Sequence, residues 1–182
     1  MIRNITILGY SQAEPGDELY QSTFEVAKAL AKAGYNIVNG GGPGVMKAAS
    51  EGAKAGGGKA IGVYFSPRGM INYEGRDSSN PIDEEVMMPN YVERTLKLLE
   101  LGDIYIIFNG GTGTISEFGM AWGLARLYFG HHKPLILYGA FWHDILETIA
   151  KEMLLRDEEL KVYRIVTTPQ ETLIAVRELA EK

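Results

Sequence analysis

The chain has 182 residues, 46% of them hydrophobic and 23% charged, with a net charge of −5. This is the composition of a globular domain with a substantial core, and the acidic balance argues against a nucleic-acid partner held by bulk electrostatics. The chain contains no cysteine, which excludes disulfides, thiol nucleophiles and thiolate zinc sites and is compatible with a cytoplasmic location.

Met1 to Leu8 reads as a strand, with Ile5 to Leu8 as its apolar part, and not as a secretory leader. No apolar run reaches membrane-spanning length, so no membrane partner is expected. Phe24, Ala27, Leu30 and Ala31 at helical spacing predict a helix over Glu18 to Ala33, with Gly34 as its C-terminal cap. Tyr35 to Val38 is a second strand and runs into Gly40-Gly41-Gly42-Pro43-Gly44. A helix over Val45 to Ala55 and a turn at Gly56 to Gly58 lead to a strand over Ala60 to Tyr64. Phe65 to Met88 shows no periodicity and is broken by Pro67, Gly69, Gly75 and Pro81. It is expected to be an irregular functional loop, with Arg68, Tyr73 and Arg76 as candidates for shaping a ligand pocket. Helices over Pro89 to Leu101, Thr114 to Phe129, Trp142 to Leu155 and Pro169 to Ala180 then alternate with strands over Ile104 to Phe108, Pro134 to Tyr138 and Val162 to Val166. The alternation predicts an α/β fold: a single domain over residues 1–182, with a mainly parallel sheet of about six or seven strands and helices on both faces.

The run Asn109-Gly110-Gly111-Thr112-Gly113-Thr114-Ile115-Ser116-Glu117 carries the chemistry. It sits between a strand and a helix. Its glycines let a ligand approach the backbone, and the helix start offers amides without partners. Gly110, Gly111, Thr112, Gly113 and Thr114 are therefore candidates for holding a phosphate, with the carboxylate of Glu117 beside it. The helix that follows is apolar almost all round, through Phe118, Met120, Trp122, Leu124, Leu127 and Tyr128. It is expected to be buried on more than one side, which places Glu117 in a pocket and calls for a partner subunit, most simply in a homodimer. If the strands follow the common order, the loop Gly9-Tyr10-Ser11 faces this run where strand order reverses. The loop Gly40 to Gly44 reads equally as a second ligand-approach loop and as a turn that needs glycine conformations.

Other chemistries find little support. No G-x-G-x-x-G follows the first strand, and Gly58-Lys59 lacks the rest of a Walker loop. His131, His132 and His143 read as loop residues rather than a metal site, and no serine stands in a nucleophile elbow. Spacing alone leaves Arg94 open between a site residue and a solvated helix charge, the role that Glu93 and Lys97 fit at i, i+4.

The region Glu93 to Glu117 resembles the LOG family, often labelled lysine-decarboxylase-like. That family carries an Arg-Lys pair on a helix and then Pro-Gly-Gly-x-Gly-Thr-x-x-Glu. Arg94, Gly110, Gly111, Gly113, Thr114 and Glu117 match it, and Gly40 to Met46 is similar to the family's other glycine motif, one residue shorter. The resemblance implies a Rossmann-like fold, a dimer, and a phosphoribohydrolase that splits cytokinin riboside 5′-monophosphates, and often AMP, into free base and ribose 5-phosphate. It implies no cofactor, no metal and no decarboxylase chemistry. On it, Glu117 and Arg94 are the catalytic pair, while Ser11, Gly41, Gly42 and Leu98 join the glycine loop in binding substrate. Glu117 would steady the positive charge that develops on the ribose as the bond breaks. The chain departs from the pattern at Asn109 for Pro, Thr95 for Lys and Ser116 for a common Glu. Related branches bind phosphorylated ligands without cleaving them, a molybdenum-cofactor carrier among them, which is the alternative reading.

Overall fold

Seven parallel strands form one sheet in the order β4-β3-β2-β1-β5-β6-β7 in a computed structural model that describes residues 2–65 and 76–180. The strands are β1 (Asn4–Leu8), β2 (Asn36–Asn39), β3 (Ala60–Phe65), β4 (Glu84–Met88), β5 (Ile104–Ile107), β6 (Leu135–Tyr138) and β7 (Tyr163–Val166). The helices are α1 (Glu18–Lys32), α2 (Val45–Ala55), α3 (Tyr91–Leu101), α4 (Thr112–Leu127), α5 (Phe141–Glu152) and α6 (Pro169–Ala180), with a short 3-10 turn over Glu159–Lys161. The expected α/β fold class is borne out, with all six strand pairings parallel.

Strand periodicity divides the interior into two layers. Ile5, Ile7, Ile37, Ile104 and Ile106 face one side of the sheet and pack against α1, α2 and α6 through Val26, Leu30, Ala49 and Val176. Leu8, Val38, Tyr105 and Ile107 face the other and pack against α3, α4 and α5 through Leu98, Phe118, Trp142 and Leu146. Glycines bring α1 and α2 close together, since a Cβ at Gly56 would meet the Lys28 carbonyl and Ala31. Gly34 ends α1 with a φ of +94°, the left-handed conformation that suits glycine at this position.

The expected irregular loop over Phe65 to Met88 is corrected at its end. Glu84–Met88 forms β4, paired in register with β3 from Ile61↔Glu84 to Phe65↔Met88. Its signal was hidden because β4 is an edge strand, where charge blunts the open side. Glu84 and Glu85 are exposed, and only Val86 and Met88 pack inward. Parallel neighbours need a crossover of a dozen residues or more, which accounts for the length of the connection. Arg68 and Tyr73 lie outside the described residues. Arg76 pairs with Glu85 and covers the Tyr64 ring, away from the cleft described below.

The chain lays down β1 to β4 in one direction, crosses through α3, and continues from β5 to β7 on the other side of β1. The order therefore reverses between β1 and β5, paired from Ile5↔Ile104 to Leu8↔Ile107. A crevice opens beyond the carboxyl ends of these two strands.

Behind α4 the second core layer is largely aromatic. Trp142 packs on Phe118 at 4.9 Å and on Phe141 at 5.1 Å between ring centroids. Its indole N–H is buried without an acceptor among the described residues. Trp142→Ala should cost about 3–5 kcal/mol in chemical denaturation. Trp142→Phe, which keeps the ring and removes the unpaired donor, should cost far less.

Candidate functional site

The loops at the reversal point are tied to one another by main-chain bonds. The Tyr10 amide donates to the Asn109 carbonyl at 3.0 Å, and the Val45 amide donates to the Tyr10 carbonyl at 2.9 Å. Asn109 thus sets the β5 loop against the β1 loop, and the start of α2 is held to both. The cleft between them has a volume of about 620 Å³. Its walls come from the β1 loop (Gly9, Tyr10, Ser11, Gln12), from Gly40 and Met46, from Tyr91 and Arg94 on α3, and from Gly111 to Thr114 with Glu117.

Sequence reasoning placed most of this wall. Ser11, Gly111, Thr112, Gly113, Thr114, Arg94 and Glu117 all line the cleft. Gly110 stands behind it: a Cβ there would strike the Thr114 side chain, so the glycine seats that threonine. Gly41 and Gly42 are not among the described lining residues, and Gly40 is there instead. Leu98 is also absent from the wall. Its side chain is 1% exposed within the second core layer, and its carbonyl accepts from the Thr6 hydroxyl at 3.0 Å. An apolar residue facing inward on an amphipathic helix packs on the sheet and does not reach the strand ends.

The two readings of Gly40 to Gly44 resolve toward packing within the protein. Gly41 and Gly44 have φ of +68° and +65°, which glycine adopts without strain. A Cβ at Gly40 would collide with the Arg94 guanidinium, one at Gly41 with the Tyr64 ring, and one at Gly44 with the Tyr10 carbonyl. The loop is held by Asn39, whose Oδ1 accepts from the Gly41 amide at 2.8 Å, and by Asn80, whose Nδ2 donates to the Gly42 carbonyl at 2.8 Å.

Room at Gly40 is room for Arg94. The Arg94 Nε donates to the Val63 carbonyl at 2.9 Å and Nη2 to the Gly40 carbonyl at 3.2 Å. Nη1 then lies 3.7 Å from Glu117 Oε1, an ion pair too long to be a direct hydrogen bond. Spacing alone leaves this arginine open; the fold places it on the wall of the cleft. Glu117 is 7% exposed. Burial pushes its carboxyl up to about 7, and Arg94 only partly offsets this. A carboxyl poised near neutrality can take or give a proton at physiological pH.

The third component is the open start of α4. Gly111 occupies the N-cap position and provides no side-chain cap. The first amides of the helix therefore face the cleft without intrahelical acceptors. A Cβ at Gly111 would meet nothing within 4 Å, which leaves its backbone open to approach. This terminus and the Arg94 guanidinium are the groups of the cleft that would favour an anion. Tyr91 was not singled out from the sequence. Its hydroxyl lies 2.7 Å from Ser116 Oγ, which donates to the Gly113 carbonyl at 2.8 Å, so α3 braces the first turn of α4. The available signal was its position one turn before Arg94, on the same helical face. Among the described residues no His, Asp or Glu cluster could hold a metal ion, and no helix is long and apolar enough to cross a membrane.

A doubly wound parallel sheet with a crevice at its switch point, an open helix start beside it and a buried Arg–Glu pair defines the class of this protein. More narrowly, the chain belongs to the SLOG cluster4 family, whose profile matches residues 2–172. It is 32% identical over 141 residues to the cytokinin riboside 5′-monophosphate phosphoribohydrolase of Mycobacterium tuberculosis, covering 76% of this chain and 72% of that protein. It is 30% identical, with the same coverage, to the Mycobacterium marinum protein of that name. Its fold matches the molybdenum cofactor binding protein of Rippkaea orientalis with a TM-score of 0.72 and 22% identity, over 99% of this chain and 98% of the other.

The carboxyl of Glu117 has an ordinary value of 4.5 and is raised to about 7 in the fold. The folded state therefore binds the extra proton between these values and loses stability as pH rises through them. Glu117→Gln should be more stable than wild type at pH 8, by up to about 3 kcal/mol, with the difference vanishing near pH 4. Denaturant unfolding at the two pH values measures it; equal differences at both would mean that the carboxylate is not desolvated.

Proposed function

We propose that this protein hydrolyses the N-glycosidic bond of a nucleoside 5′-monophosphate, yielding free base and ribose 5-phosphate, and that it works as a homodimer. The observation that carries the reading is the buried Glu117 facing Arg94 at 3.7 Å beside the uncapped start of α4. Two relatives named as phosphoribohydrolases, at 32% and 30% identity, support it.

On this reading the amides of Gly111 to Thr114 hold the 5′-phosphate, and that contact fixes the ribose against Glu117. Cleavage builds positive charge on the ribose ring. An ionised Glu117 stabilises that charge and removes a proton from the attacking water. Arg94 keeps the carboxylate in place, since two main-chain carbonyls already hold its guanidinium.

The second reading is a carrier that holds a phosphorylated ligand, such as molybdenum cofactor, without cleaving it. It draws on the fold likeness to the Rippkaea orientalis protein. Position 95 also bears on it: a buried Thr95 stands where the LOG pattern has lysine, which removes a cation from the neighbourhood of the cleft.

Incubation with a panel of nucleoside monophosphates, AMP first, with chromatography for free base, separates the two. Wild type should release base. Glu117→Gln should lose at least 100-fold in kcat/KM with its fold intact, since a general-base carboxylate contributes about 10²–10⁴-fold. The kcat/KM profile should rise with pH through an apparent value near 7, because the ionised carboxylate is the active form. Stabilisation of the fold by AMP without base release would instead favour the carrier.

A further inference from the structure

The edge of the sheet opposite the cleft carries a second cavity. It opens at the amino ends of β5, β6 and β7, between the turn over 130–134, the segment leading into β7 and the last turn of α6. Its volume is about 620 Å³, equal to that of the cleft and of the size that small-molecule sites have. Ile2, Val162 and Leu179 give it an apolar wall.

The polar lining is cationic. His131, His132, Lys133, Lys161 and Arg164 are set against one acidic residue, Asp103. The chain as a whole has the opposite balance, with 18 Lys and Arg against 23 Asp and Glu. Asp103 is already engaged within the fold. Its Oδ2 accepts from the Arg3 amide at 2.7 Å and from the Asn4 amide at 2.9 Å, which fastens β1 to the start of β5. A concave surface lined by one sign of charge concentrates its field on a ligand of the other sign.

The three permanent cations differ in what they leave over. Lys133 is fixed, because Nζ donates to the carbonyls of Leu99 and Glu100 at the end of α3, both at 2.8 Å. Two of its three hydrogens are thereby used. Burial also holds its ammonium below the ordinary lysine value, a cost that a nearby anion would relieve. Arg164 gives Nη1 to Glu178 at 2.6 Å and keeps the rest of its five-donor fork. Lys161 is exposed and has no ion pair or side-chain hydrogen bond among the described residues.

His132 adds a polar atom in need of a partner. Its Nδ1 is buried and unbonded among the described residues, whereas nearly all buried polar atoms are hydrogen-bonded. Burial keeps the imidazole below its ordinary pKa, so at neutral pH the ring is uncharged. With its proton on Nδ1 it would donate to a ligand oxygen. The groups left over at this edge are thus donors, most of them charged. Their complement is an acceptor-rich anion with an organic body that covers the apolar wall.

We propose that this cavity binds a phosphate ester, with the phosphate held by Lys161 and Arg164 in the field of the fixed Lys133. The site lies across the sheet from Arg94 and Glu117, so it does not depend on what the cleft binds or cleaves.

Backbone amide NMR of the whole chain, titrated with phenyl phosphate at constant ionic strength, tests it. Signals of residues 130–133, 135 and 161–164 should move along one saturating curve, read separately from those of 111–114 in the cleft. Inorganic phosphate should move the same signals with weaker affinity, because it leaves the apolar wall uncovered. Lys161→Glu combined with Arg164→Gln should weaken phenyl phosphate at this edge at least about tenfold. The rest of the spectrum should stay in place, since both side chains reach solvent. Lys161→Arg, which keeps the charge, should retain binding. Shifts confined to the cleft, a response at this edge that does not saturate, equal affinity for the two phosphates, or a double variant that binds like wild type would overturn the proposal.

Discussion

Arg94 is the point on which the site depends. It sits on α3, the segment that carries the chain from one half of the sheet to the other. From there it binds a carbonyl of β3, a carbonyl of the glycine loop after β2, and the carboxylate of α4. Four elements that are remote in sequence are held by one planar cation whose donors point in fixed directions. Burying a guanidinium is costly unless its N–H groups find acceptors. Here two of them are main-chain oxygens that cannot titrate away, so Arg94 stays in place whatever the state of Glu117. The carboxyl can then change protonation without dismantling its surroundings.

The glycines divide into two groups by what they make room for. Gly40, Gly41 and Gly44 make room for the protein itself: the Arg94 guanidinium, the Tyr64 ring and the Tyr10 carbonyl occupy the space a Cβ would take. Gly110 likewise yields to Thr114. Gly111 faces open space, at the helix start where an anion is favoured. A glycine-rich loop thus need not touch a ligand along its whole length. Most of this one is internal fitting that allows a short stretch to be presented.

Helix α4 joins the two outward-looking features of the molecule. Its first turn forms one wall of the cleft, its inner face carries Glu117 down to Arg94, and its outer face exposes the uncharged positions Ile115, Gly119, Gly123 and Leu127. Tyr91 and Ser116 brace the first turn against α3, so the open amides at the start of α4 stand on a stiff element. Low mobility matters at an anion site, because fixed dipoles need no reorganisation when charge develops.

The sequence by itself determined the alternation of strands and helices and the loop-to-helix run that ends at Glu117, while the reversal site beneath Gly9 and Asn109 needed the strand order as well. These are local properties: strand and helix periodicity, glycine breaks and a helix start are written within a few residues of one another. It missed β4, because an edge strand with two leading glutamates carries little apolar alternation. It assigned Gly41, Gly42 and Leu98 to the cleft, because proximity in sequence to a site residue does not say which way a backbone turns. Only the tertiary structure decided that Arg94 lines the cleft, that burial raises the Glu117 carboxyl toward neutrality, and that one side of α4 is left uncovered. Each of these depends on which distant elements come to lie against a residue, and the burial of a charge is a property of that environment and not of the residue that bears it.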